Sequence, residues 1–132
     1  MTTQEYFEAK KGLGVISTAD AEGRVNSAIY SRPHFMEDGS VAFVMRDRLT
    51  RANLNSNPYA SYVFVENGPG YNGKRLYLKK TREERETDRL HALKRRTGGG
   101  DRNDKDDPKY LVFFELQREL PLVSKAGSKA VA

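Results

Sequence analysis

Residues 49–66 read LTRANLNSNPYASYVFVE, and this stretch decides the fold because it sets one short polar helix directly before a strand. Pro58 disfavours the helical conformation at Asn57, so the helix ends there. The run YASYVFVE that follows is rich in aromatic and β-branched residues, which favour extended chain. The stretch therefore predicts a helix followed at once by a strand, and that strand must pair with others.

The start of this helix is suited to binding an anion. The first N–H groups of a helix have no acceptor within it. Arg46, Arg48 and Arg51 stand close by in the sequence, and the Thr50 hydroxyl is a further donor, so a phosphate could be held here by charge-assisted hydrogen bonds. The alternative is that Thr50 only caps the helix and Asn53 is a surface residue. Taken alone, the stretch favours this second interpretation.

Five further runs have the composition and alternation of strands. They are 14–19, 24–32, 40–45, 74–80 and 109–117. A first helix is predicted over 3–11. Another helix is predicted to begin at Thr81, where Thr81 and Glu84 form the T-x-x-E signature of a capping box, and to end at the basic residues 94–96. Six strands in antiparallel order with two inserted helices predict a small β-barrel of the α+β class, mainly β.

The composition limits the possible chemistry. The chain has 132 residues, a net charge of +5 and no cysteine. It is predicted to form one domain over 1–124, followed by a disordered tail over 125–132. We find neither an apolar run of membrane-spanning length nor a signal-peptide pattern, so a cytoplasmic location with no membrane partner is expected. Without cysteine there is no disulfide or thiolate nucleophile, and any redox chemistry must come from a bound cofactor.

Three patterns that suggest ligand sites do not meet the requirements of those sites. GPGYNG, 68–73, matches G-x-G-x-x-G, but a strand and not a helix follows it. DRNDKDDPKYLV, 101–112, lacks the central glycine and the final glutamate of a calcium loop. His34 and His91 are too few for a zinc site or a hydrolytic triad, so they are interpreted as surface or packing residues, and no metal site is predicted.

The basic and aromatic strand GKRLYLKK, 73–80, is the best feature for a nucleic-acid partner. On an OB-like barrel its Lys, Arg and Tyr side chains could form a platform on which bases stack. However, Arg75, Tyr77 and Lys79 share one face and Leu76 and Leu78 the other, as in any half-exposed strand. A nucleic-acid-binding function is therefore the more remote alternative.

Four segments in one order carry a resemblance to a known family: GVISTADAEGRVNSAIYS, EDGSVAFVM, LTRANLNSNPYASYVF and NGPGYNGKRLYL. Together they resemble the FMN-binding split-barrel superfamily, which includes pyridoxamine 5′-phosphate oxidases and small FMN-binding proteins. The resemblance covers about residues 5–80. It implies a six-stranded antiparallel split barrel that forms a homodimer, with FMN bound in clefts at the dimer interface.

The resemblance also implies a set of cofactor-binding residues. The flavin ring is expected along the second and third strands, at Ser27, Ala28, Ile29, Val44 and Met45. The phosphate is expected at the start of the short helix and at nearby basic residues, namely Arg32, Arg46, Thr50, Arg51 and Asn53. Many relatives have a lysine near the start of this helix, where Leu49 and Thr50 stand in this chain.

The expected activity is that of an FMN-dependent oxidoreductase that acts on a small-molecule redox substrate or an electron partner. Pyridoxamine phosphate oxidases use a C-terminal segment with Arg and His, whereas residues 113–132 contain no histidine and only Arg118. Vitamin B6 phosphate is therefore not the expected substrate, and no catalytic residue is assigned. The alternative is a non-catalytic carrier of flavin, deazaflavin or haem. A homodimer is also expected because the apolar strip at Leu90 and Leu93 and the sheet edges need cover.

Overall fold

The structure, a computed structural model, describes residues 1–85 and 108–124. Within them are two helices, α1 and α2, and seven strands, β1 to β7. Their bounds are α1 Thr3–Ala9, β1 Gly12–Ala19, β2 Val25–Tyr30, β3 His34–Phe35, β4 Val41–Arg46, α2 Leu49–Ser56, β5 Tyr59–Glu66, β6 Gly73–Arg85 and β7 Lys109–Pro121. Neither of the two helices in these residues is long and apolar enough to cross a membrane.

The seven strands form one antiparallel sheet in the order β2-β1-β5-β6-β7-β4-β3. The prediction of six strands is wrong because β3 was missed. This strand has two residues, and it pairs through His34 with Ala42 and through Phe35 with Val41. A run of two residues is too short to show the alternation by which strands are predicted.

The helix predicted to begin at Thr81 is also wrong over the described residues. β6 continues as a strand to Arg85, and its pairing with β7 shifts register between Lys80 and Arg82. The Thr81 hydroxyl donates to the carbonyl oxygen of Phe113 at 3.3 Å. Pairing with the long strand β7 therefore overrides the local capping signal. The rest of that predicted helix, with Leu90 and Leu93, and the predicted tail lie outside the described residues.

The match to G-x-G-x-x-G lies at the connection from β5 to β6, and its last glycine, Gly73, begins β6. Gly68 and Gly70 have φ angles of 112° and 84°. Only glycine adopts such angles at little cost. The glycines therefore serve the chain reversal, in agreement with the rejection of a dinucleotide-binding motif.

Aromatic side chains fill the core inside the curled sheet. Phe43 of β4 is 2% exposed, and its ring centroid lies 5.1 Å from that of Tyr62 and 5.8 Å from that of Phe114. Phe7 of α1 covers one side of this core, with its ring 5.1 Å from Phe64. The sheet curls far enough for Tyr30 of the edge strand β2 to reach Phe43, at 6.1 Å between ring centroids. The two ends of the sheet therefore meet over a shared core.

The outer face of β2, β1 and β5 carries an exposed apolar row. The register places Ile29 opposite Val15 and Val15 opposite Val63. Ile29 is 73% exposed, and the two valines are half-buried. We call Ile29, Val15 and Val63 the outer row. On this face the sheet offers apolar surface that a second molecule could cover.

Candidate functional site

Among the described residues, those at the N-terminal end of α2 are the best suited to bind an anion. α2 begins at Leu49, with Arg48 in extended conformation as its N-cap, and it packs on β1 and β2. No side chain caps the helix, and no acidic residue lies in its first turn. The N–H groups of this turn therefore carry the positive end of the helix dipole, and the carboxylate of Asp47, two residues before the helix, is paired with Arg51 at 3.0 Å.

Thr50 is the second residue of α2 and not its cap, so the interpretation of Thr50 as an N-cap is wrong. Its side chain is 3% exposed and forms a hydrogen bond with the Tyr30 side chain. Burial raises the pKa of Tyr30, and the hydrogen bond from Thr50 lowers that pKa in part. The pair joins the start of α2 to the edge strand β2, next to the place where the sheet ends meet.

Substituting Thr50→Val should lower the free energy of unfolding by about 1–2 kcal/mol, because the half-buried Tyr30 hydroxyl then loses its partner. Urea denaturation of the wild type, Thr50→Val, Tyr30→Phe and the double variant checks this. The double variant should be more stable than the sum of the two single losses predicts. Additive losses would show that the two hydroxyl groups do not interact.

Asn53 is an internal connector and not a surface residue. It is 5% exposed, and its Nδ2 donates to the Thr18 hydroxyl of β1 at 3.1 Å. This bond fixes the orientation of α2 on the sheet. Asn53 thus supports the site by holding the helix in place. Its side-chain amide already donates a hydrogen bond within the fold.

Arg51 is held by partners within the chain. Its Nη1 donates to Asp47 Oδ1 at 3.0 Å, its Nη2 pairs with Glu83, and its guanidinium lies 3.5 Å from the ring centroid of Tyr110. Its Nε is buried without a hydrogen-bond partner in the described part of the chain. An anion at the start of α2 would have to compete with two carboxylates for this side chain.

Glu83 is the centre of this charge cluster. It pairs with Arg51 and, at 2.9 Å, with Lys80. Burial alone would raise the pKa of Glu83, but the hydrogen bonds from Arg51 and Lys80 outweigh it and hold the pKa below its ordinary value. A carboxyl with a lowered pKa in the folded state stabilises the fold above its unfolded pKa, and this stability is lost as the pH falls through the folded pKa.

We therefore expect Glu83→Gln to reduce the free energy of unfolding by about 1.5–3 kcal/mol at pH 7, because two cations lose a charged partner. The difference from the wild type should shrink as the pH falls through the lowered folded-state pKa of Glu83, because the wild-type carboxyl then becomes protonated and loses its charge. Denaturation between pH 3 and 7 measures it. Glu22→Gln is the control, since Glu22 forms an exposed pair with Arg24 and should change stability by about 1 kcal/mol or less. A difference that does not vary with pH would contradict the assignment.

Arg46 and Arg48 supply the remaining positive charge near the start of α2. Arg48 is exposed, and its Nη1 donates to the Asp47 carbonyl oxygen at 3.3 Å. Arg46 is half-buried and lies opposite Lys109 in the pairing of β4 with β7. Lys109 is 2% exposed and was missed by sequence reasoning. The one local signal for its burial was its position directly before the apolar run YLVFF. The burial itself results from the pairing of β7 with β4.

The residues predicted for the flavin ring do not share one surface. Ser27 and Ile29 point outward on β2, and Ser27 Oγ lies 2.8 Å from Ser17 Oγ. Ala28 packs against the core, and Met45 is 1% exposed within it. Val44 points to the other side of β4. The side chains that an external flavin could touch are therefore Ser27, Ile29 and Val44, whereas Ala28 and Met45 could offer backbone groups.

Arg32 stands apart from the other predicted phosphate residues. Its Nη1 donates to the carbonyl oxygens of Phe7 and Lys10, both at 2.9 Å, so its hydrogen bonds go to α1 and the residue after it. It lines a cavity of about 400 Å³ between α1 and the β2–β3 connection. The predicted set thus divides into a group at α2 and a single arginine at this cavity.

The residues at α2 fit a phosphate, and metal chemistry has no equivalent support. An uncapped helix start with Arg46 and Arg48 beside it offers N–H donors and positive charge, which is what a phosphate group requires. Within 1–85 and 108–124 no group of three or more His, Asp or Glu side chains could hold a metal ion. His34 is 3% exposed, as expected for a packing histidine.

Comparison with known proteins identifies the fold. No family model and no curated protein sequence matches the chain. An FMN-binding protein from Syntrophomonas wolfei subsp. wolfei superposes with a TM-score of 0.71 at 21% identity, over 92% of this chain and 84% of that one. An F420 reductase gives 0.67 at 12% identity, over 91% and 98%. HutZ, the haem storage protein from Vibrio cholerae, gives 0.66 at 17%, over 89% and 90%. The curled antiparallel sheet and these matches together show that the chain has the fold of the FMN-binding split-barrel superfamily.

Proposed function

We propose that this chain is an FMN-binding flavoprotein that acts as an oxidoreductase on a small-molecule redox substrate or an electron partner. The observation that supports it best is the uncapped start of α2 beside Arg46 and Arg48, in a fold shared with an FMN-binding protein. FMN would supply the two-electron chemistry that a chain without cysteine and without a metal cluster in its described residues otherwise lacks.

In this proposal the chain's own groups bind and orient the flavin. The first-turn N–H groups of α2 and the guanidinium groups of Arg46 and Arg48 hold the phosphate. Thr50 and Asn53 keep α2 in position through Tyr30 and Thr18. The exposed side chains of β2 provide a flat, partly apolar surface for the ring.

The proposal includes a homodimer. Ile29 is 73% exposed in the outer row, and Val25 on the same strand is 83% exposed. Such apolar surface on an edge strand is suited to cover by a second copy of the chain, because an uncovered edge and apolar patch favour association. A flavin lying along β2 would then be enclosed between the two copies, as flavins require exclusion of water to control their reactivity.

The first experiment is a flavin titration combined with a size measurement. The purified protein should bind FMN with a Kd of about 1 μM or lower, equivalent to roughly −8 kcal/mol, and light scattering should give the mass of a dimer. The Kd is measured by FMN fluorescence with protein prepared free of ligand. The mass is measured by light scattering at micromolar protein concentration. Failure to bind FMN, or FMN binding to a monomer, would contradict the respective part of the proposal.

A deazaflavin or haem carrier is the second candidate, because an F420 reductase and a haem storage protein share the fold. A haem iron usually needs an axial side chain such as His. Among the described residues the one histidine is His34, and its exposure of 3% makes it poorly placed for this role; His91 lies outside the described residues. Parallel titrations with F420 and haemin decide between the candidates, and tighter binding of either than of FMN would replace the proposed cofactor.

A further inference from the structure

The cavity between α1 and the β2–β3 connection has no role in the proposed flavin site. Its volume is about 400 Å³, which is within the range of small-molecule sites. It is lined by side chains of two kinds: the aromatic Phe7 and Phe35, and the polar Glu8, Ser31, Arg32 and His34. A partly apolar cavity with a few polar groups is the usual form of a ligand pocket.

The walls of this cavity are fixed by contacts within the fold. The rings of Phe7 and Phe35 stack with centroids 6.0 Å apart and an interplanar angle of 28°. The hydroxyl of Tyr62, a fully buried residue, donates to the Ser31 carbonyl oxygen at 3.0 Å. This bond holds the end of β2 where it turns into the cavity wall. A cavity with such walls is largely formed before any ligand binds.

Arg32 lines this cavity, and its guanidinium is held in place by two backbone acceptors. Both hydrogens of its Nη1 are used by the carbonyl oxygens of Phe7 and Lys10, which fixes the plane of the guanidinium. The Nε–Nη2 edge has no acceptor among the described residues, and none of them forms an ion pair with Arg32. Two parallel N–H groups on one guanidinium edge match the two oxygens of a carboxylate.

We propose that this cavity binds a small, flat organic carboxylate. The carboxylate accepts two hydrogen bonds from the Nε–Nη2 edge of Arg32, and the apolar body of the ligand lies against Phe7 and Phe35. Glu8 at the same cavity disfavours a second negative charge, so a monoanion is bound in preference to a dianion. The site does not depend on the flavin. The preference for a monoanion also disfavours binding of the FMN phosphate, which is a dianion.

The test compares two probes of the same shape, 2-naphthoate and its neutral amide 2-naphthamide, by ¹H–¹⁵N NMR titration of the full chain. The wild type should bind 2-naphthoate at least ten-fold more tightly than 2-naphthamide. The largest shift changes should occur at Phe7 and over 31–35. Equal affinity for the two probes, no saturation, or largest shifts elsewhere would overturn the proposal.

Substituting Arg32→Gln should bring the affinity ratio of the two probes close to one, whereas Arg24→Gln, at an exposed arginine outside the cavity, should leave it unchanged. Because Arg32 also holds the end of α1, unfolding temperatures are measured for each variant, and Arg32→Lys serves as the second variant. Arg32→Lys keeps the charge but not the double donor edge, so it should lose about ten-fold in 2-naphthoate affinity. An unchanged ratio in both Arg32 variants would overturn the role of Arg32.

A competition experiment separates this site from the proposed flavin site. Saturating FMN should leave the affinity for 2-naphthoate unchanged. If the protein does not bind FMN at all, it should still bind 2-naphthoate more tightly than 2-naphthamide. If FMN displaces 2-naphthoate and shifts the same amides over 31–35, the cavity is part of the flavin site and the proposal of an independent carboxylate site is wrong.

Discussion

Replacing Phe43 by alanine is expected to lower the free energy of unfolding by about 3–5 kcal/mol. Phe43 is 2% exposed and packs against Tyr30, Tyr62 and Phe114, with ring centroids 5.1 to 6.1 Å away. The substitution removes the ring that joins the β2 end of the sheet to the β4 end and leaves a cavity between them. Urea denaturation with fluorescence or circular dichroism measures the loss.

Two matched variants make the Phe43 result specific. Phe43→Leu keeps most of the apolar volume and should cost about 1.5 kcal/mol or less. Tyr71→Ala removes an aromatic ring that is 82% exposed and should change stability by about 0.5 kcal/mol or less. A Phe43→Ala variant that loses no more stability than Tyr71→Ala would show that the two ends of the sheet are not closed by this contact.

The second large effect is expected on FMN affinity. Arg48→Ala should weaken FMN binding by about 10- to 150-fold, which corresponds to the loss of one hydrogen bond to a charged group at about 1.5–3 kcal/mol. Riboflavin, which has no phosphate, should bind to Arg48→Ala as it does to the wild type. Isothermal titration with both flavins measures the ratio of the two affinities.

Two further arginine variants test this effect: Arg46→Ala as a second site variant and Arg24→Ala as the control. Arg46→Ala should act in the same direction as Arg48→Ala, because both residues stand within three positions before α2. Arg24→Ala removes an arginine that is 74% exposed in its side chain and should alter neither flavin. If Arg48→Ala and Arg46→Ala weaken FMN and riboflavin equally, the phosphate is not bound at α2.

Most of the sheet could be predicted from the sequence because strand faces follow a local rule. The alternation in 74–80 reports burial directly, since Leu76 and Leu78 are inside, whereas in 40–45 Ala42 is buried as well as Phe43 and Met45. The errors arose where long-range pairing decides the structure. Residues 81–85 carry a helix-start signal, yet β7 extends β6 through them, and no local pattern reports the length of a distant partner strand.

The site was predicted less well than the fold because its side chains find partners far along the chain. Asn53 binds Thr18, 35 residues away, and Arg51 binds Glu83, 32 residues away. The family resemblance implied that Asn53 and Arg51 bind the ligand. Only the folded chain shows that both are already hydrogen-bonded to distant partners.

The measurement that tests the central claim most directly is a ¹H–¹⁵N NMR titration of the protein with FMN and, separately, with riboflavin. The backbone amides of Leu49 and Thr50, in the uncapped first turn of α2, should show the largest shift changes with FMN because they donate to its phosphate. The same amides should move little with riboflavin. Saturable binding of FMN with its largest shifts far from α2, or identical shifts at Leu49 and Thr50 with both flavins, would contradict the account.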